Sequence, residues 1–127
     1  MEKLIPLNDM PNIEYISSAL VLQSEARIRF DDFDKNSYEL YFPDVYDFRQ
    51  CVEAAFISRK FDDKADDRRK CSVFLVENSE LIKSFITGSD GVYGDKESEY
   101  CHYIIYDSID TIIEIIAVKP PLLSKRA

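Results

Sequence analysis

Among the 127 residues the side chains able to do chemistry are few, and their spacing decides what they can do. The single histidine, His102, follows Cys101 directly. Neighbours on an extended chain point to opposite faces, so these two cannot form a nucleophile–base couple. Cys51 or Cys71 could reach His102 only through the fold, and nothing local supports it. Three widely spaced cysteines without a CxxC pair write neither a disulfide framework nor a common zinc site. The run DFDKNS imitates the start of a calcium loop, with Asp32, Asp34 and Asn36 in the first, third and fifth places. Ser37 then replaces the required glycine and Pro43 stands where the closing glutamate belongs.

The other clusters are no stronger. Asp62, Asp63, Asp66 and Asp67 are interleaved with Lys64, Arg68 and Arg69, the pattern of a solvated charge run. Gly88, Gly91 and Gly94 form GxxGxxG, but they follow a helical pattern rather than a strand and no lysine comes after them, so no phosphate loop or dinucleotide fingerprint is present. The reading is a protein with no catalytic residue, no metal site and no cofactor.

The elements that would position these residues follow from periodicity. ALVLQSEARIRF, residues 19–30, alternates as a first strand, broken near Ser24, and YELYF returns as its hairpin partner over 37–42. From Asp44, read as an N-cap, Val45, Phe48, Val52, Ala55 and Phe56 fall at helical spacing, which predicts a helix reaching toward Arg59. CSVFLV is apolar on both parities, as a strand covered on both faces should be. Asn78 or Ser79 caps a second helix carrying Leu81, Ile82, Phe85 and Ile86. Residues 100–106 and 111–118 form an antiparallel pair with a turn at Asp107 and Ser108, stopped by Pro120 and Pro121. The expected fold is α+β: one domain over 1–127, a single antiparallel sheet of about five strands with two helices packed on it.

Composition narrows the function. Apolar residues make up 46% of the chain and no apolar run is long enough to span a bilayer, so no membrane is expected as a partner. The first residues lack the apolar core of a secretion signal, which points to the cytoplasm. A net charge of −8 disfavours direct nucleic-acid binding and favours a basic partner. Three acidic groups are candidate contacts: Asp31, Asp32 and Asp34; Asp62, Asp63, Asp66 and Asp67; and Asp95, Glu97 and Glu99. The glycine loop adds Asp90 and Tyr93, the latter as an anchor that orders on binding.

With SVFLVENSELIKSF followed by CHYIIYDSIDTIIEIIAVKPP, the chain over residues 71–121 resembles small bacterial immunity proteins of contact-dependent growth inhibition and other polymorphic toxin systems. That resemblance implies a cytoplasmic antitoxin, a monomer or weak dimer, that binds and neutralises a cognate toxin domain, often a nuclease. It transfers no catalytic residue. The alternative is a small acidic regulatory or accessory protein-binding domain, and after it an unrecognised enzyme.

Overall fold

A computed structural model describes residues 2–52, 71–89 and 98–126. They form nine strands and one helix: β1 Lys3–Pro6, β2 Ile13–Leu22, β3 Glu25–Asp32, β4 Ser37–Phe42, β5 Val45–Val52, β6 Val73–Glu77, α1 Glu80–Gly88, β7 Cys101–Tyr106, β8 Thr111–Ala117 and β9 Leu122–Lys125. Two antiparallel sheets result, one ordered β1-β6-β7-β8-β5 and one ordered β2-β3-β4-β9. This corrects the expected single sheet with two helices: the described chain is mostly strand, and it holds one helix.

The main core lies between the sheets. Ile13, Ala26, Ile28, Phe30, Leu40 and Phe42 from the four-stranded sheet meet Val73, Tyr103, Ile105, Ile113, Ile115 and Ala117 from the five-stranded one. Burying such a run of large side chains supplies most of the driving force for folding. On the far side of the five-stranded sheet, Leu81 and Ile82 of α1 pack with Tyr100 and Ile116, while Phe74, Ile104 and Ile112 join Leu4 and Val76. Both faces of β7 and β8 are therefore covered, which is why their sequences are apolar at nearly every position. The strand β3 has one covered face, and its burial alternates residue by residue.

The largest correction concerns Val45–Val52. These residues pair with β8 along their whole length, Val45 opposite Ala117 and Val52 opposite Thr111. A register irregularity between Val45 and Asp47 adds one residue, so Val45 and Phe48 both face the inter-sheet core three positions apart. A strand with a bulge has borrowed a helical spacing. Asp44 is no N-cap: its φ is +51°, a turn conformation, whereas N-caps are extended. Ala55 and Phe56, with the rest of that predicted helix, lie outside the described residues.

Two further boundaries differ. The supposed first strand over 19–30 is the closing half of β2, a tight turn with Gln23 at φ +57°, and β3. Pro120 and Pro121 do end β8, but the chain then crosses to the other sheet, where β9 pairs with β4. Among the described residues no helix is long and apolar enough to cross a membrane.

Candidate functional site

Two constellations need assessment, one exposed and one buried. The exposed one forms where the β3–β4 turn meets the β7–β8 turn at one end of the sandwich. In the first turn, Asp32 Oδ1 accepts from the backbone N–H of Asp34 at 3.0 Å and of Asn36 at 2.9 Å. The calcium-like DFDKNS spacing is thus a self-capped hairpin turn. Desolvation acts to raise the Asp32 carboxyl, but the Asn36 and Asp34 donors outweigh it and hold it below its ordinary value. Asp31 accepts from the Ser37 hydroxyl at 2.6 Å.

Asp107 organises the second turn. Its Oδ1 accepts from the N–H groups of Ile109, Asp110 and Thr111, and its Oδ2 from Ile16 across the sheet boundary at 3.2 Å. Glu14 then ties the two turns together: its carboxylate pairs with Lys35 and its carbonyl accepts from Ser108 Oγ at 2.7 Å. Phe33 is 55% exposed and Ile109 61% exposed at the tips of these turns. A cleft of about 260 Å³ between them is lined by Phe33, Ser72, Tyr106 and Asp107. Two large apolar side chains thus stand out of a surface that carries the exposed carboxylates of Asp34 and Asp110, the half-buried carboxylates of Asp32 and Asp107, and the Lys35 ammonium paired with Glu14.

The buried constellation is a chain of three side chains, Ser79, His102 and Glu114. His102 is fully buried on β7; its Nε2 lies 2.8 Å from Glu114 Oε1 on the neighbouring β8, and its Nδ1 lies 2.7 Å from Ser79 Oγ. Their composition is that of a Ser–His–acid triad, and the preceding Asn78 sits at φ +55° between strand and helix. The surroundings differ from those of a nucleophile. Ser79 is the N-cap of α1 and its Oγ already accepts from Ile82 N at 3.0 Å. The helix N–H best placed to bind an oxyanion, that of Glu80, donates instead to the Glu2 carboxylate at 2.9 Å. A negative charge stands where a developing negative charge would have to be stabilised. What this chain of side chains does is lock α1 onto β7 and β8.

The acidic residues singled out from sequence fare unevenly. Asp31, Asp32 and Asp34 lie at the exposed end, although Asp31 and Asp32 are engaged in the hairpin itself. Glu99 is exposed just before β7, so it is separated from that end by the full length of the strand. Glu99 is not brought together with Asp31, Asp32 and Asp34. Asp62, Asp63, Asp66, Asp67, Asp90, Tyr93, Asp95 and Glu97 lie outside the described residues.

Sequence reasoning missed Phe33, Ile109, Asp107 and Asp110. The signal was available in part: Phe33 is an aromatic residue inside a polar turn, where packing gives it no reason to be. The three cysteines carry no disulfide, Cys71 buried and the other two half-buried. Among the described residues no three His, Cys, Asp or Glu side chains converge as a metal site would require. No family of proteins, no curated protein and no solved structure matches this chain.

Proposed function

We propose that this chain is a partner-binding protein of the immunity type, acting in the cytoplasm to neutralise a basic, nuclease-class toxin domain docked on its acidic end. The observation that carries the reading is the exposure of Phe33 and Ile109 among Asp32, Asp34, Asp107 and Asp110. Apolar anchors supply affinity at an interface, and surrounding carboxylates steer a basic partner toward it. The net charge of −8 extends that field over the molecule.

One observation favours a second reading, an acyl-transfer enzyme built on Ser79, His102 and Glu114. It ranks lower because the serine is buried under its own helix cap and Glu2 occupies the anion position. An activated fluorophosphonate separates the two: the immunity reading expects no adduct at Ser79, and a stoichiometric adduct would replace it with the enzyme. The direct test measures binding to the C-terminal domain of the large secreted protein encoded immediately upstream. Nanomolar binding, with Phe33→Ala weakening it about thirtyfold, is the expected result. An upstream gene of ordinary metabolism, or no binding, would sink the proposal.

A further inference from the structure

The outer face of the four-stranded sheet is covered by nothing among the described residues, and its composition is unlike an ordinary wet sheet face. The pairing registers arrange its side chains in rows that cross all four strands. Leu20, Arg27, Tyr41 and Leu122 make one row, and Ser18, Arg29, Glu39 and Ser124 the next. Tyr15, Asp31 and Ser37 make a third, which Arg126 completes by its backbone bond to Ser37. Leu20 is 59% exposed and Leu122 62% exposed, at opposite edges of the sheet. Between them the Arg27 guanidinium lies 4.4 Å above the Tyr41 ring, and Glu39 accepts from both Arg27 and Arg29.

These rows are complementary to themselves when reversed. A two-fold axis lying along the strands between β3 and β4 keeps every row at its level and exchanges left for right. Leu20 then meets Leu122 of the second copy, Arg27 meets Tyr41, Arg29 meets Glu39, and Tyr15 meets Arg126. Each contact is apolar on apolar, cation on aromatic ring, or opposite charges. The other two-fold, running along a row, would set arginine against arginine and is disfavoured. The face carries three cations, Arg27, Arg29 and Arg126, and three carboxylates, Glu25, Asp31 and Glu39, on a molecule whose net charge is −8. It is a place where two such acidic chains can approach without mutual repulsion.

We infer that the outer face of the β2-β3-β4-β9 sheet is a self-association surface, on which a second copy stacks face to face with β3 over β4 and β2 over β9. Sheets stacked this way lie roughly 10 Å apart with strands within about 30° of parallel. Four short strands offer roughly 300–400 Å² of flat area, set by strand spacing and rise. That is well below the roughly 800 Å² per partner of a stable complex, so the dimer forms and dissociates with concentration. This inference does not rest on the immunity reading, although its third row, Tyr15, Asp31 and Ser37, borders the acidic end that reading uses.

Sedimentation velocity on the full chain, from about 10 µM to 1 mM, the range suited to a small interface, tests it. The mass should rise from 14.8 kDa toward twice that value. Arg29→Glu and Glu39→Arg should each remain monomeric alone, because each sets like charges across the axis. An equimolar mixture of the two should dimerise, because both cross-axis contacts become attractive again. Arg29 is exposed and Glu39 half-buried on the outer face, so melting curves establish that each variant is folded before its mass is read. A wild-type mass that never rises, a dimer indifferent to either substitution, or a mixture that stays monomeric would each overturn the assignment.

Discussion

Ser79 holds three roles at one atom: it caps α1, touches His102 and so connects helix to sheet. Removing its hydroxyl deletes an N-cap, worth about 1 kcal/mol, and leaves a ring nitrogen of buried His102 unsatisfied, worth about 1–3 kcal/mol more. Ser79→Ala should therefore destabilise the protein by about 2–4 kcal/mol in denaturant titration. A nucleophile would behave differently, since its removal leaves folding nearly untouched. A loss under about 0.5 kcal/mol would show that the Ser79–His102–Glu114 chain is not holding the helix. Only the cap was legible in the sequence. Ser79 and Glu114 read only as a cap and as the one charge in an apolar strand, and their convergence on His102 depends on the register of β7 against β8, His102 opposite Ile116 and Ile104 opposite Glu114.

At the scale of elements, the two turns that form the acidic end are fastened by single carboxylates. Asp107 receives three N–H groups of its own turn and one from β2, so Asp107→Ala should free the β7–β8 turn and weaken its tie to the other sheet. Hydrogen exchange at Ile16, Ile109 and Thr111 should accelerate while Ile104 and Ile113 stay protected; uniform acceleration would mean the turn is coupled to global unfolding. Asp32 adds a pH dependence. Its carboxyl is depressed in the folded state, so the stabilisation it brings is present above the ordinary carboxylate value of about 4. It disappears as pH falls through the lower folded value. Protection of the Asn36 amide should follow that course, and Asp32→Ala should abolish the pH dependence.

Elements with one wet face, or none, were readable. β4, β6, β7 and β8 follow from alternation and continuous apolar runs, the helix cap was narrowed to Asn78 or Ser79, and β3 was read joined to the end of β2 as one strand over 19–30. β5 was not, because its bulge placed Val45 and Phe48 at a spacing that periodicity assigns to a helix. β1 and β9 are four residues each, too short to show any period. The position of the acidic end was half readable: Asp34 belongs to a recognisable turn, but that Asp107 and Asp110 join it is decided by the meeting of two distant hairpins.

For the whole molecule, charge acts at a distance. Asp34 projects from the exposed end without being the residue that fastens it, so Asp34→Lys should alter the field and spare the fold. Association with the basic toxin domain proposed as its partner should slow about tenfold at low ionic strength. Its salt dependence should flatten as well. Stopped-flow rates equal to wild type would show that steering originates elsewhere.

The strand orders also impose a timetable. β2, β3 and β4 are successive hairpins and can pair as soon as they exist, and so can β7 with β8. The outer members of the five-stranded sheet must wait, because Leu4 pairs with Val76 and Val45 with Ala117, each 72 positions away. Closing such distant contacts before any reward arrives places folding in the millisecond-to-second range. During that interval the apolar strand β8 has only one neighbour. A chain leaving the ribosome is therefore incompletely folded for a measurable time and exposed to aggregation in it; under the immunity role proposed above, a cell would need a standing supply made in advance.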